Sequence, residues 1–180
     1  MSAPDQTQSI LKTLNIDELE KKSAELLASG QHDHFVESDI VQAFRESISC
    51  GIFDERLRMG AADTVVYEMP FKFGRADIVI FHIDGSATVI EVKDGAKGYK
   101  HVVSGIGQAG LYAAQLAMSQ GAIKRVRKCL LWTSAGSCEV DGVIEITCEQ
   151  ASVIALPWQS TASLAATRKA IIQMILGEVR

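Results

Sequence analysis

The sequence predicts an α/β (or α+β) domain in which a central mixed β-sheet is flanked by helices. Three observations support this class: apolar residues recur at helical spacing before residue 52, the pattern becomes strand-like from Thr64, and another helical segment separates the later strands. Elements in this order bury a sheet against layers of helices. At 180 residues, 47% of them hydrophobic, the chain is long enough to bury one sizeable core.

Two helices are predicted first. Residues 15–30 form a helix with a leucine stripe, within an N-terminal extension of residues 1–35. Residues 37–51 form the second helix, because four apolar residues recur at helical spacing: Ile40, Val41, Phe44 and Ile48. We expect residues 36–180 to form a single domain, whose core spans about residues 37–132.

Three strands follow the helices. The first is predicted at residues 64–73, where Pro70 indicates an edge strand or a bend. The second covers residues 75–83 and the third residues 87–94, and both are strongly apolar. The turn Asp84–Ser86 between them predicts a hairpin.

The later elements complete the predicted sheet. Residues 95–107 are rich in glycine and basic residues and are expected to form a flexible connection, followed by a helix that ends at Gly121. A strand with its body at residues 126–132 comes next. A further strand in GVIEITC and a helix from residue 160 are predicted within the C-terminal residues 143–180.

Composition and charge restrict the function classes. The net charge of −4 argues against an indiscriminate nucleic-acid binder. Residues 1–64 carry 12 acidic and 6 basic side chains, whereas residues 72–128 carry 9 basic and 4 acidic ones, a local net charge of +5. This basic middle either presents a phosphate-facing surface or consists of solvated loops and strand ends.

The sequence indicates a cytoplasmic protein without a membrane span. It has no apolar run of about 18 residues and no secretory signal at its start. Its four cysteines show no CxxC pair and no histidine at zinc spacing, which favours free buried thiols in a reducing compartment.

The third predicted strand carries two opposite charges in an otherwise apolar run. Glu91 and Lys93 in ATVIEVKDG are two residues apart and therefore point to the same side. A tight hairpin centred near Gly85 pairs positions whose numbers sum to about 169 or 170. Asp77 then falls opposite residue 92 or 93, so two carboxylates and an ammonium gather at the open end of the hairpin.

Such charges are costly to bury unless they are paired or bound to a metal ion. Mg²⁺ or Mn²⁺ held by Asp77, Glu91 and the backbone carbonyl of Val92 would resolve the repulsion between the carboxylates. Lys93 would then orient the attacking water or neutralise charge on a phosphate. The alternatives are that Asp77 caps a turn and that Glu91 and Lys93 form an ion pair on a solvated face.

This arrangement resembles the PD-(D/E)XK nuclease superfamily. GRAD provides Asp77, and 13 residues separate it from EVK, which provides Glu91 and Lys93. The residue before the aspartate is Ala76 rather than proline, a departure that leaves the chemistry intact. The predicted order of elements over residues 37–132 is similar to the helix, three-strand meander, helix and strand of the superfamily core.

Two helical motifs extend the resemblance. Gln108 and Tyr112 in QAGLY look like the Gln-xxx-Tyr motif of recombination and repair nucleases in this superfamily. Glu37, at the start of the second helix, is similar to the glutamate that many members lend to the metal site, and Glu46 is the competing choice.

The resemblance implies a restriction-endonuclease-like fold and a deoxyribonuclease dependent on Mg²⁺ or Mn²⁺. It would act on DNA in repair or recombination, in a phage or bacterial setting. A homodimer or a protein partner docked on the N- or C-terminal helix is compatible with it. The implied catalytic residues are Asp77, Glu91, Lys93, Glu37, Gln108 and Tyr112. The implied metal ligands are Asp77, Glu91, Val92 and Glu37. The expected phosphate contacts are Arg75, Lys97, Lys100 and His101.

One alternative function keeps the fold without the reaction. It is a catalytically inactive nuclease-fold module that binds nucleic acid or a protein partner. The intact Asp77, Glu91 and Lys93 argue against it, because a binding module has no need of all three.

Overall fold

The computed structural model describes most of the middle of the chain: residues 21, 37–48, 55–119, 121, 123, 125–158 and 170–171. By its internal contacts the chain divides into two compact units, residues 35–160, and residues 1–34 with 161–180. The predicted helices at residues 15–30 and from residue 160 onwards fall almost wholly outside the described residues. The domain boundaries and the partner roles assigned to these helices therefore stay predictions.

The described residues within 35–160 form a five-stranded mixed sheet with helices packed against it. In chain order, the elements are α1 (Glu37–Ile48), β1 (Thr64–Phe71), β2 (Gly74–Phe81), β3 (Ser86–Lys93), a 3₁₀ turn (Gly95–Lys97), α2 (Tyr99–Met118), β4 (Arg125–Trp132), α3 (Cys138–Gln150) and β5 (Ile154–Pro157). The strands lie side by side in the order β1-β2-β3-β4-β5. β1, β2 and β3 are antiparallel neighbours, and β3, β4 and β5 run parallel. The predicted α/β class and the order of its core elements are confirmed.

β3 is the central strand of the sheet and is buried on both faces. Seven of its eight residues are buried, from Ala87 to Lys93. Helix α2 packs on β3 and β4 and covers one face. A continuous apolar run is typical of a strand covered on both sides. Glu91 and Lys93 are therefore buried, and each buried charge needs a partner.

The strand predicted in GVIEITC is wrong, because these residues belong to α3. The helix begins after Ser137, whose hydroxyl accepts a hydrogen bond from the Val140 N–H. Ile144 and Cys148, four residues apart, are buried, whereas Ile146 between them is exposed. This is the period of a helix, which the β-branched composition of the segment hid. The strand that follows, β5, was not predicted.

The flexible connection predicted at residues 95–107 is also wrong. Asp94 accepts a hydrogen bond from the Ala96 N–H and caps the 3₁₀ turn, and α2 then begins at Tyr99. The glycines of this segment suggested a loop, but Gly105 and Gly107 lie within α2, a helix of 20 residues. Neither α2 nor another helix among the described residues is long and apolar enough to cross a membrane.

Gly105 allows α2 to approach the sheet closely. A Cβ atom at this position would lie 2.6 Å from Leu130 Cδ1 and 2.9 Å from Lys93 Cγ. We expect Gly105→Ala to destabilise the protein by about 1–3 kcal/mol, because the buried neighbours must move. Gly107→Ala, where a Cβ would meet nothing within 4 Å, should instead stabilise α2 by about 0.5–1 kcal/mol.

Urea unfolding of the two variants beside the wild type measures both effects. A Gly105→Ala variant as stable as Gly107→Ala would contradict the close packing of α2 against Lys93.

Candidate active site

The candidate site lies where β2 and β3 separate. Their pairing ends at Ile78 and Ile90. Beyond this pair β2 continues along β1 as far as Gly74, and β3 continues along β4 as far as Lys93. The divergence opens a gap in the ladder at the end of the hairpin, which we call the notch. It is lined by Asp77, Glu91, Val92 and Lys93.

The predicted register of the hairpin was off by one or two residues. Ile78 pairs with Ile90, so paired numbers sum to 168, and an extension of this register would bring Asp77 level with Glu91. The cause is the loop, which is centred on Asp84 rather than on Gly85. Gly85 has a φ of 83°, a left-handed conformation that is typical of three-residue hairpin loops.

Asp77 is fixed by the backbone of β3. Its Oδ2 accepts a hydrogen bond from the Val92 N–H at 2.7 Å. The N–H and C=O groups of one strand residue point to the same edge, so the Val92 carbonyl also faces the β2 side of β3. One carboxylate and one backbone oxygen therefore lie on the same side of the notch.

Glu91 and Lys93 form a buried ion pair. Lys93 Nζ donates to Glu91 Oε1 at 2.7 Å. The side chain of Glu91 is 4% exposed and that of Lys93 is 6% exposed. The alternative of an ion pair on a solvated face is therefore wrong. Glu91 Oε2 is buried and has no hydrogen-bond partner among the described residues. One carboxylate oxygen is thus left unsatisfied in the interior, which is costly.

The two carboxyl groups of the notch are hard to ionise together. Burial, and then the negative charge of Asp77, raise the pKa of Glu91 to about 7. Burial also raises the pKa of Asp77, although the Val92 N–H opposes this. A cation bound beside Glu91 Oε2 would offset both effects.

The notch fits a divalent cation with two carboxylates rather than three. Among the residues that the structure describes, no three acidic, histidine or cysteine side chains are grouped so that they could hold a metal ion. Mg²⁺ commonly uses one or two protein carboxylates and fills its shell with water and substrate phosphate. Asp77, Glu91 and the Val92 carbonyl meet that requirement.

Glu37 lies at the start of α1 and is engaged by two basic side chains. Its Oε1 accepts hydrogen bonds from His101 Nε2 at 2.7 Å and from Lys97 Nζ at 3.2 Å. Burial alone would raise the pKa of Glu37, but these hydrogen bonds and the positive charge of Lys93 outweigh it and lower the pKa. Its own charge helps to raise the pKa values of Asp77 and Glu91. Glu37 is therefore close enough to influence the notch.

Lys97 and His101, predicted to contact phosphate, hold Glu37 in this structure. Lys100 is exposed in the first turn of α2. Arg75, the other predicted phosphate contact, forms an exposed ion pair with Glu68 at 2.5 Å.

Glu68 is a neighbour of the site that the sequence analysis missed. It lies between Tyr67 and Met69, whose partners on β2 flank Asp77, and its charge contributes to the raised pKa of Asp77. Its φ of 57° is rare for a residue other than glycine. Extending the pairing arithmetic from the hairpin to β1 would have found it.

Helix α2 presents one stripe of side chains along the site. Residues 101, 105, 108 and 112 share a face, because they are spaced by three or four positions. His101 binds Glu37, and Gly105 lies against Lys93. Gln108 is the next residue of the stripe, and its Oε1 is buried without a partner among the described residues.

Tyr112, at the end of the stripe, packs against the residues at the start of β2. It is 7% exposed and stacks on Phe71, with the ring centroids 5.8 Å apart. Its hydroxyl lies 2.6 Å from the position that a Cβ of Gly74 would occupy, so only glycine fits there. Gln115, one turn further on, accepts a hydrogen bond from the Phe73 N–H at 2.9 Å and holds the β1–β2 turn. Tyr112 is therefore a core residue that packs against β2.

Comparisons with known proteins give one similar solved structure. No protein-family model matches the chain, and no curated protein matches it. The chain is similar to a crystal structure of a repair endonuclease from Pyrococcus abyssi, with a TM-score of 0.41 and 18% sequence identity. The match covers 71% of this chain and 48% of the other, so the chain spans about half the length of that protein.

Proposed function

We propose that this protein is a divalent-metal-dependent deoxyribonuclease of the PD-(D/E)XK type, with a restriction-endonuclease-like core. One observation carries the proposal: Asp77, Glu91 and Lys93 meet in the notch, and one buried oxygen of Glu91 has no partner. A purely structural ion pair gains nothing from a buried oxygen without a partner, and leaving one is costly. A cation site needs such an oxygen.

Mg²⁺ or Mn²⁺ would be held by Asp77, Glu91 and the carbonyl of Val92, with Glu37 acting through a bound water. The ion would supply Lewis acidity, which polarises a phosphate and lowers the pKa of water. The Val92 N–H keeps Asp77 turned towards β3, so this carboxylate does not have to reorient when the cation binds.

Lys93 is the residue that handles the attacking water. Its ammonium has three donors, and one of them is used by Glu91 at 2.7 Å. The remaining donors can orient a water molecule and stabilise the negative charge that develops on the phosphate. Because Lys93 is buried against Gly105, its position is fixed before substrate arrives.

The neighbouring side chains would bind and position DNA. Gln108 would contact the substrate, and Tyr112 would steady the start of β2. Lys100 is exposed and available for a phosphate, whereas Arg75, Lys97 and His101 would exchange their carboxylate partners for phosphate oxygens. A role in repair or recombination and a dimer through the terminal helices belong to the same proposal.

Cleavage assays test the proposal. The full chain is incubated with linear, circular, single-stranded and branched DNA in Mg²⁺, in Mn²⁺ and in EDTA, beside Asp77→Asn. We expect cleavage that requires the metal ion and is lost in the variant. Cleavage that persists in EDTA, or an active Asp77→Asn protein, would contradict the assignment.

Glu37 is expected to support the metal site from α1. Glu37→Gln should weaken the apparent affinity for Mg²⁺ by about 10-fold to 100-fold, the usual effect of removing a group that supports a metal ligand. The measurement is cleavage rate against Mg²⁺ concentration. Glu46→Gln is the matched control, since Glu46 is exposed on the same helix. Loss of metal affinity in Glu46→Gln instead would reverse the choice between the two glutamates.

The second candidate is an inactive nuclease-fold module that binds nucleic acid or a protein. It is favoured by the pairing of charges within the site, since Lys93 is paired with Glu91 and Glu37 with His101. DNA binding without cleavage, unchanged in Asp77→Asn, would support this candidate.

A further inference from the structure

A second polar site lies at the opposite end of the β2–β3 hairpin. A cavity of about 320 Å³ opens where β2 ends and β3 begins, and three of its lining residues are Arg58, Arg125 and Arg127. Its volume is within the range of roughly 300–1,000 Å³ that small-molecule sites occupy. His82, which also lines it, is five residues beyond Asp77 on the same chain segment, about 16 Å away along an extended strand. The cavity is therefore separate from the notch.

A buried network orients Arg127 at this cavity. Arg127 Nη2 donates to the Leu57 carbonyl and to His82 Nε2, the latter at 2.8 Å. His82 Nδ1 lies 2.6 Å from Asp63 Oδ2. A proton on Nδ1, donated to this carboxylate, leaves Nε2 free to accept from Arg127. The guanidinium is thus held in one orientation.

The order Asp63, His82 and Thr88 has the connectivity of a hydrolase triad, since His82 Nε2 also lies 2.8 Å from Thr88 Oγ1. Thr88 is 0% exposed, however, so a substrate cannot reach its hydroxyl. The network supports Arg127 and does not form a nucleophilic site.

The two carboxylates that line the cavity, Asp63 and Asp84, accept hydrogen bonds from groups other than the arginines. Asp63 accepts hydrogen bonds from the Gly60 and Ile83 N–H groups as well as facing His82. Asp84 Oδ1 accepts from both the N–H and the hydroxyl of Ser86. The acidic groups therefore do not neutralise the arginines by direct pairing.

The cavity carries an excess of positive charge, since three arginines but only two carboxylates, Asp63 and Asp84, line it. Within the described residues, no ion pair includes Arg58, Arg125 or Arg127. The Arg127 Nε atom is buried and has no hydrogen-bond partner among the described residues. Burial, and then the positive charges of Arg58 and Arg125, lower the pKa of Arg127, although the negative charge of Asp84 partly opposes them. An anion in the cavity would relieve this repulsion.

We propose that this cavity binds a terminal phosphate group, a phosphomonoester or diphosphate. Planar guanidinium groups match phosphate oxygens in geometry and charge. Arg125 and Arg127 belong to the basic middle of the sequence, yet they lie far from the notch and are not explained by the cleavage chemistry. The site is independent of the proposed nuclease activity. Its ligand comes either from free nucleotides or from the 5′ end of a DNA strand.

Calorimetric titration in EDTA tests the site without the metal chemistry of the notch. The probes are inorganic phosphate, pyrophosphate, a 5′-deoxynucleoside monophosphate, and a short oligonucleotide with and without a 5′-phosphate. We expect binding of at least one phosphorylated probe, weakened about tenfold or more in Arg58→Gln/Arg125→Gln, equivalent to about 1.4 kcal/mol. Preference for the mononucleotide identifies a nucleotide site, and preference for the 5′-phosphorylated oligonucleotide identifies a DNA end.

Lys72→Gln is the matched control, because it removes an exposed positive charge at the other end of β2. Arg127→Gln is avoided as the primary variant, since it also breaks the bonds to Leu57 and His82. Absence of binding for all probes at millimolar concentration would overturn the proposal. Equal binding by the double variant and the Lys72→Gln control would overturn it as well.

Discussion

Replacing Lys93 by methionine is expected to reduce DNA cleavage by about 10²–10³-fold, the usual cost of losing one preorganised donor at a developing negative charge. Methionine retains the length of the apolar stem, which lies against Gly105, but removes the ammonium that donates to Glu91. The loss should appear in kcat more than in DNA affinity, since Lys93 is buried and makes its substrate contact through the attacking water.

Single-turnover cleavage and DNA binding are measured on the same protein preparations. Lys100→Gln is the control, because it removes an exposed charge two residues into α2 without touching the notch. It should weaken binding slightly and leave the single-turnover rate near that of the wild type. A Lys93→Met protein that cleaves at the wild-type rate would remove Lys93 from the mechanism.

The double variant Glu91→Gln/Lys93→Met is expected to be inactive but more stable than the wild type, by about 1–4 kcal/mol at pH 8. Burying two charges costs more than their mutual attraction returns when one oxygen lacks a partner, as Glu91 Oε2 does. The single variant Glu91→Gln should instead be destabilised, because it leaves the Lys93 ammonium buried without an anion.

The pH dependence of this gain has a defined sign. The pKa of Glu91 is raised in the folded protein from 4.5 to about 7, so the folded state binds more protons than the unfolded state between these values. Stability attributable to Glu91 therefore falls as the pH rises from 4.5 to 7. The cost is absent below that window and complete above it, on the order of 3 kcal/mol.

Urea unfolding of wild type and double variant at pH 4.5, 6 and 8 measures the difference. The difference in the free energy of unfolding between the double variant and the wild type should increase through this window and stay constant at higher pH. A double variant that is less stable at pH 8 would show that the charged pair stabilises the fold, and this result would favour a structural role for Glu91 and Lys93.

The hairpin and the charges within it were predictable because they depend on short sequence distances. Side chains two apart on a strand share a side whatever the rest of the chain does, so Glu91 and Lys93 were expected on one face, where the structure shows them paired. The exact position of Asp77 was not predictable, because one residue more or less in the loop shifts the register. The start of α2 was hidden by glycines whose helical role depends on close packing against the sheet, as at Gly105.

Contacts between distant segments were beyond sequence reasoning. His101 meets Glu37 across 64 positions, and Arg127 meets His82 across 45. No local pattern marks either pair. Part of α3 was predicted as a strand for a related reason. Its valine and isoleucine residues favour strands, and only packing against the sheet makes the helix the stable form.

The Val92 amide proton offers a view of the site that needs no substrate. It is held by the Asp77 carboxylate rather than by a carbonyl of the neighbouring strand. Its NMR chemical shift and its rate of exchange with deuterium must therefore change when Asp77 gains a proton or a bound cation draws on the same oxygens. A single backbone resonance thus reports the charge state of the notch, in the intact protein and at equilibrium.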